Sequence, residues 1–339
     1  MTDKKNAGTI IGLFLIVTVC ALMACGNITD PEEKSTSGTA AAGGANGGNN
    51  AGRFYFIKMA EQTEASGTLC FLYEGSKAVF PVSGRSMTGF SINRDKTTIV
   101  FAEILPGYSG TYLAFMNTNG ASYRQTYVSG SNPSFNITGD KVYFDDGGVL
   151  YSMNTDGTDK QHIDIPGVDG TKRFPRISPN GEKLAFYQTS PGYKWYHDDV
   201  VYLYVYDLVT GDVTKLNNDS IPVSYLNWNP NGTEIAFSTT TGITPPICEL
   251  WTVTADGSAQ PVRVADSGSP AFGACGFPSY TDDGFILCGS TKNKALNWRS
   301  SWDGSHYKYE LARVKPDGTS LSILLTGYSI KDPVWVQAQ

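Results

Sequence analysis

The chain has 339 residues, a formal net charge of −6 and a sequence pI near 5.1. This length is ample for one domain with a continuous core. An acidic chain without a run of basic residues is poorly suited to nucleic acid, so we expect no nucleic-acid partner. Histidine occurs only three times, and we expect neither a metal nor a cofactor.

The N-terminus has the pattern of an export signal. Lys4 and Lys5 precede an apolar run over residues 10–24, which is short for a membrane span and typical of a signal-peptide core. The run ends in Leu22-Met23-Ala24-Cys25, which resembles the lipobox of bacterial lipoproteins. The alternatives are a plain secretory signal with a chance cysteine, and an uncleaved anchor helix.

The lipobox resemblance implies that residues 1–24 are removed and that Cys25 becomes the acylated first residue of the mature chain. Gly26 follows, where retention in the inner membrane usually requires Asp. The resemblance therefore implies a lipid anchor in the outer membrane, with the protein facing the periplasm or the cell surface. Residues 25–52 are mostly Ser, Thr, Ala, Gly and Asn, and this composition predicts a flexible tether.

From residue 53 onward, one phrase recurs six times. It reads Pro-x-aromatic, a polar turn, apolar-x-aromatic, a gap, Leu-aromatic, a glycine turn and a last apolar strand, most clearly from Pro175 onward. Repeats about 42 to 55 residues apart are typical of radial β-repeats. The third position of the phrase is occupied by Phe90, Phe135, Ile177, Trp228, Tyr280 and Trp335.

These repeats predict an all-β fold, a β-propeller of four-stranded antiparallel blades over residues 53–339. Asn-Gly and Asp-Gly pairs such as Asp256-Gly257 predict tight hairpins. The last copy supplies only one strand, Pro333–Val336, and the first stretch, from Phe54, lacks one. The two fragments predict a sixth blade in which the C-terminal strand closes the ring. We also expect a monomer.

In each blade we letter the strands A to D from the axis outward, and call the end that carries the B–C loops the B–C face. The B–C loops vary most in length, and two are rich in aromatic side chains. They predict a surface that binds an envelope protein, a peptide or a glycan, although such residues also form small cores that order long loops. The predicted binding residues are Tyr193, Trp195, Tyr196, His197, Trp298, Arg299, Trp302 and Tyr307.

Four cysteines in the repeats also fall toward the B–C face. In an exported protein they predict disulfides, Cys248 with Cys275 first and Cys70 with Cys288 second. The alternative is that they are buried free thiols that pack as small apolar residues.

An enzyme is the competing hypothesis, a lyase or hydrolase with its site at the same face. In this hypothesis a metal would be surrounded, or acid and base would be supplied, by His197, Asp198 and His306, with Asp199 and Asp303 nearby. The chain has no Gly-x-Ser-x-Gly elbow, His-Glu-x-x-His pair or phosphate-binding glycine loop. The sequence therefore favours binding without chemistry.

The phrase Pro-x-aromatic-Ser-Pro-Asn-Gly-x-x-Leu-Ala-Phe, seen over residues 175–186 with Ile177 in the aromatic position, resembles the TolB-type, WD-like propeller repeat. The resemblance covers about residues 54–337 and implies a six-bladed propeller. Such blades also occur in peptidases and sugar lyases, so the resemblance implies little about function. What it supports is an interaction scaffold.

Overall fold

The computed structural model describes residues 52–59, 67–189, 201–218, 221–241, 247–265, 275–290, 310–326 and 330–337. The chain divides into two compact units, residues 1–46 and 47–339, and all described residues belong to the second. The described residues fold as β-strands and turns. They include no helix with the length and apolar character needed to cross a membrane.

The described residues form 23 strands. The first twelve are β1 (Arg53–Met59), β2 (Gly67–Tyr73), β3 (Phe80–Ile92), β4 (Thr98–Ile104), β5 (Thr111–Asn117), β6 (Arg124–Ser129), β7 (Ser131–Phe135), β8 (Lys141–Asp146), β9 (Val149–Asn154), β10 (Gln161–His162), β11 (Thr171–Ile177) and β12 (Lys183–Thr189). The others are β13 (Val201–Asp207), β14 (Val213–Lys215), β15 (Tyr225–Trp228), β16 (Glu234–Thr241), β17 (Ile247–Thr254), β18 (Val262–Ala265), β19 (Cys275–Tyr280), β20 (Ile286–Ser290), β21 (Glu310–Val314), β22 (Ser322–Leu325) and β23 (Ile330–Val336).

The strands form antiparallel sheets arranged as a propeller. Four sheets have four strands each, β7 to β10, β11 to β14, β15 to β18 and β19 to β22, and one has seven in the order β23-β1-β2-β3-β4-β5-β6. The strands β3, β7, β11, β15, β19 and β23 contact one another in that succession. They form the inner ring around the axis, and the predicted all-β propeller is confirmed.

The seven-stranded sheet departs from the predicted pattern, which separates every blade from the next by a loop. The 13-residue strand β3 pairs with β2 through its first half and with β4 through its second half. It therefore serves as the D strand of one unit and the A strand of the next. The sheet has the strand content of two blades that share β3, and the count of six blades stays a prediction that this topology accommodates.

The predicted closure of the ring is confirmed. Strand β23 pairs antiparallel with β1, and Phe54 lies opposite Trp335. The two rings are in contact, tilted by 42° with centroids 4.4 Å apart. Trp335 is half-buried and packs against the edge of a cluster that contains Phe54 and Ile330, so it lies at the margin of the core and not inside it.

The second strands are buried on both faces, because each sheet is covered by two neighbours. Their central triplets are fully inaccessible to solvent, as in Leu184-Ala185-Phe186 and Ile235-Ala236-Phe237. Alternate residues of one strand therefore belong to different clusters, with Ala185 in one and Leu184 and Phe186 in the next. Burial on both faces is what the continuous apolar strands predict.

The glycine turns adopt the predicted geometry. In the hairpin between β17 and β18, Gly257 has φ +69°, a conformation that glycine adopts without a Cβ penalty. The carboxylate of Asp256 accepts a hydrogen bond from the backbone N–H of Ser258 at 3.0 Å. Hydrogen bonds from Ser258 lower the pKa of Asp256 to about 2, so this carboxylate holds the turn at neutral pH.

Closure by β23 gives a stability prediction. Deleting residues 330–339 exposes the edge of β1 and removes the fully buried Ile330, so the domain is expected to aggregate or to lose its cooperative melting transition. The single change Ile330→Ala should lower the free energy of unfolding by about 2–4 kcal/mol. Deleting only residues 338–339 is the control and should leave the melting curve unchanged. Circular dichroism melts check all three, and equal melting of the 330–339 deletion would mean that the ring closes another way.

Candidate functional site

The eight predicted binding residues lie outside the described residues, as do the histidines and aspartates of the enzyme hypothesis and the predicted lipidation site Cys25. Two B–C connections are described, the turn Gly147-Gly148 between β8 and β9 and the loop over residues 105–110 between β4 and β5. Tyr108 at its tip is 57 % exposed, and Ile104 beside it is 38 % exposed. The described part of this face therefore also presents apolar side chains to solvent.

The two predicted disulfides have different outcomes in the structure. Cys70 is a buried free thiol, and burial raises its pKa to about 11. The predicted bond between Cys70 and Cys288 is therefore not formed, and Cys288 is buried in a neighbouring cluster. Cys248 lies in β17 and not in a loop, and Cys275 begins β19. Their side chains fall outside the described part of the structure, so this pairing stays a prediction.

Four inner strands share an unusual backbone feature. Asn132, Phe174, Phe277 and Asp332 each have a positive φ, between 48° and 60°, and each directly precedes a proline. At each of these positions the pairing with the neighbouring strand shifts register. A β-bulge of this kind changes where the side chain is aimed, and here it brings residues of different sheets together at the axis.

We call this group the channel cluster, and its members are Asn132, Asp145, Phe174, Arg176, Tyr225, Phe277, Lys331 and Asp332. One half of it is held by Asp145, which is 1 % exposed. One oxygen of this carboxylate accepts hydrogen bonds from Asn132 Nδ2 at 2.8 Å and from the backbone N–H of Phe174 at 3.0 Å. Burial raises the pKa of Asp145, and the hydrogen bond from Asn132 opposes the rise.

Arg176 extends the cluster across the axis. Its Nη1 donates to the carbonyl oxygens of Asn132 and Pro175, both at 2.9 Å, while the indole N–H of Trp228 donates to the backbone carbonyl of Arg176 at 2.8 Å. Burial lowers the pKa of Arg176 to about 10, and the charges of Asp332 and Asp145 oppose that fall. The guanidinium is thus held in place by backbone acceptors on its Nη1 edge.

Lys331 and Asp332 enter the cluster from β23. The ammonium group of Lys331 donates to the carbonyl oxygen of Thr88 on β3 at 2.7 Å. Burial raises the pKa of Asp332, and the positive charges of Lys331 and Arg176 act against the rise. Two cations and two carboxylates therefore share the axis, which nearly balances its charge.

Asp332, which is partly exposed, differs from the buried carboxylates Asp145 and Glu103 in its partners. Glu103, for comparison, accepts hydrogen bonds from Arg85 at 2.7 Å and Tyr123 at 2.8 Å. Within the described part of the chain the Asp332 carboxylate accepts no hydrogen bond and forms no ion pair, and only the longer-range charges act on it. Partial removal from bulk water without donors from the protein disfavours the charged form of a carboxylate, so the ionised side chain weakens the fold.

The opposite wall of the cluster is aromatic. Phe174 meets Tyr225 edge to face with centroids 5.3 Å apart, and Tyr225 meets Phe277 at 4.4 Å. The guanidinium of Arg176 lies 4.0 Å from the centre of the Phe174 ring. The ammonium of Lys331 lies 5.9 Å from the Tyr225 and Phe277 rings, within cation–π range.

The cluster lies toward the B–C face and retains contact with solvent. Asp145 is the second-last residue of β8, just before a B–C turn, and Asn132, Arg176, Tyr225 and Asp332 are all partly exposed. Among the described residues no set of three His, Cys, Asp or Glu side chains could hold a metal. The arrangement offers separate donors, acceptors and an aromatic wall, which suits it to binding.

The sequence analysis missed this cluster. The sequence around Asp145 indicates only a tight B–C turn, and Gly147-Gly148 form that turn between β8 and β9. The available signal was the position that precedes proline in the repeat phrase, occupied by Asn132, Phe174, Phe277 and Asp332. Two of these four residues are polar and two are aromatic.

Comparison with known proteins identifies the fold. No family model matches the chain, and no curated protein matches it. TolB from Acinetobacter baumannii has a TM-score of 0.61 at 14% sequence identity, over 85% of this chain and 67% of that chain. A nidogen–laminin complex gives a TM-score of 0.60 at 9% identity, over 85% and 99%. Oligogalacturonate lyase in complex with manganese gives 0.50 at 11% identity, over 81% and 74%.

These likenesses show that the described domain is a TolB-like β-propeller, as the repeat phrase predicts. At such low sequence identity they carry the fold alone. The similar structures include a lyase, so the fold does not decide between binding and catalysis.

The cost of Asp332 gives a pH prediction. A raised pKa means that the folded protein holds the proton more tightly than the unfolded chain does. The wild type therefore loses unfolding free energy as pH rises from about 3.9, the ordinary value for Asp, through the folded pKa. Asp332→Asn lacks this loss, so its stability relative to wild type should increase between pH 4 and pH 7.

Urea titrations across this pH range measure the difference between the two proteins, in which the effects of all shared groups cancel. Asp256→Asn is the control with the opposite sign, because the pKa of Asp256 is lowered. Its deficit should be present at neutral pH and should shrink as the pH falls through 3.9 toward 2. A difference for Asp332→Asn that stays constant with pH would contradict the raised pKa of Asp332.

Proposed function

We propose that this chain is a non-enzymatic binding scaffold of the cell envelope, a monomeric propeller that captures an envelope protein, a peptide or a glycan at its B–C face. The observation that carries the proposal is the channel cluster, which lies toward the B–C face. This is the face to which the sequence assigns the two aromatic loops. Loops on a rigid β scaffold are a common location for binding residues.

The position at which the tether joins the propeller supports the same face. Arg53, the first residue of β1, pairs with Tyr73 at the end of β2 and with Val336 at the end of β23. These residues lie at the A–B and C–D turn end, opposite the B–C face. The chain therefore enters the propeller at the end away from the B–C face.

Location in the envelope is the second part of the proposal. The lipobox-like Leu22–Cys25 supports an N-terminal lipid on Cys25 that anchors the protein in the outer membrane, facing the periplasm or the cell surface. A tether over residues 25–52 then lets the propeller search near the membrane.

The binding proposal predicts that aromatic residues of two B–C loops are needed for the partner. In a pull-down from envelope extract, the double change Trp195→Ala/Trp302→Ala is expected to lose the partner, because buried aromatic anchors dominate such interfaces. Tyr127→Ala is the matched control. Tyr127 is 67 % exposed on β6, an outer strand, and its loss should leave capture unchanged.

Circular dichroism confirms that each variant is folded. The same captured partner for wild type and the double variant would place the binding surface elsewhere. Stoichiometric zinc, manganese or calcium in the purified protein would count against the non-enzymatic assignment and favour the enzyme hypothesis.

The anchoring proposal predicts the behaviour of Cys25→Ser. This variant should appear in the soluble envelope fraction or accumulate as an uncleaved precursor, because the acylated thiol is missing. Fractionation followed by immunoblotting measures this, with Cys20→Ser, inside the apolar run, as the control that should remain with membranes. Unchanged processing and fractionation of Cys25→Ser would rule out a lipid on this residue.

A further inference from the structure

We propose that the channel cluster is a binding site for a small zwitterion of the α-amino acid class, which takes the ammonium group at Asp332 and Asn132 and the carboxylate at Arg176. This proposal deepens the proposed binding function, because the cluster lies toward the same B–C face. It uses none of the B–C loop residues changed in the pull-down, so different variants test the two proposals and their failures can be told apart.

The ammonium half of the site is formed at Gly89 on β3. A Cβ placed on Gly89 would lie 3.6 Å from Oδ2 of Asp332 and 3.8 Å from Oδ1 of Asn132. The two oxygens therefore flank one point that glycine leaves empty, and neither accepts a hydrogen bond in the described part of the chain. A charged N–H donor at this point would satisfy both oxygens and supply the donors that the carboxylate lacks.

The carboxylate half of the site is the free edge of Arg176. The hydrogen bonds of this guanidinium within the described residues are made by Nη1, to the carbonyl oxygens of Asn132 and Pro175. Nη2 and Nε remain for a ligand, and a guanidinium edge matches the two oxygens of a carboxylate. Lys331 adds a second positive charge on the same axis.

The two halves are close without neutralising each other. Arg176 and Asp332 influence each other's pKa, but they form no ion pair in the described structure. A lone anion would be attracted by Arg176 and repelled by Asp332. A lone cation would be attracted by Asp332 and repelled by Arg176. A molecule with both charges avoids either repulsion, which is why the cluster favours a zwitterion over a simple ion.

The aromatic wall of Phe174, Tyr225 and Phe277 indicates the rest of the ligand. These rings face the axis beside the two charged halves, and Tyr225 and Phe277 are partly exposed. An apolar side chain packed on this wall removes both surfaces from water. The expected ligand is therefore an amino acid with an apolar side chain.

The experiment is calorimetric titration of the purified full-length protein with L-leucine, with acetate and methylammonium as single-charge controls. Saturable binding of leucine at millimolar concentrations is expected, with no saturable binding of either control, and leucine should raise the melting temperature. Absence of leucine binding, or equal binding of acetate, overturns the proposal.

Variants locate the site. Gly89→Ala places a methyl group between the two acceptor oxygens at ordinary contact distances, so it should block the ammonium while the protein stays folded. Asp332→Asn should weaken leucine binding roughly 10- to 100-fold, the loss expected for a charge-assisted hydrogen bond. Gly84→Ala on the same strand, where a Cβ meets nothing within 4 Å, is the matched control. Wild-type affinity in both Gly89→Ala and Asp332→Asn would overturn the proposal.

Discussion

The antiparallel pairing of β23 with β1 is the interaction on which the rest of the structure depends. It joins a strand from the end of the repeats to one from their beginning, and so holds the inner strands in a ring. The pairing leaves neither β1 nor β23 as a free edge at this point, and free edges invite aggregation. It also places Lys331 and Asp332 at the axis, opposite Arg176. Closure and the channel cluster are therefore two consequences of one strand.

The bulges of the inner strands determine which side chains meet at the axis of the ring. A residue before proline normally has an extended backbone, and a non-glycine residue with positive φ costs of order 1–3 kcal/mol. Asn132, Phe174, Phe277 and Asp332 nevertheless share both features. An uninterrupted ladder would send alternate side chains into the neighbouring sheets, whereas the bulge redirects one residue per strand. The repeated strain is thus tied to the meeting of side chains at the axis.

The fold could be predicted from the sequence, because the repeat encodes it locally. Apolar triplets such as Leu184-Ala185-Phe186 require burial on both faces, and Asp256-Gly257 requires a hairpin. The fusion of two units through β3 could not be predicted, since residues 80–92 contain Pro81, Gly84 and Gly89, and proline and glycine usually interrupt a strand. The Cys70–Cys288 prediction was wrong because a shared face does not fix the distance between two thiols.

The channel cluster could not be predicted for a different reason. Its members are separated in sequence by up to 200 residues, and each type differs from copy to copy, so no repeat position is uniformly polar. Only the closed ring brings an acid from β23 against an amide from β7 and a glycine from β3. A sequence pattern reflects the contacts between a strand and its neighbours along the chain. The axis, in contrast, is where six strands that are not neighbours in the sequence meet.

The two carboxylates at the axis differ in their hydrogen-bond partners. Arg176 and Lys331 face Asp145 and Asp332, so their sum is close to zero, yet the four groups are not equally satisfied. Asp145 has donors from Asn132 and Phe174, whereas Asp332 has none within the described residues. An asparagine at this position would remove the charge and stabilise the fold at neutral pH, because partial burial without protein donors raises the pKa of Asp332. A carboxylate kept at a cost to folding is typical of a site selected for binding, and among the four charged groups at the axis Asp332 is the one to which this applies.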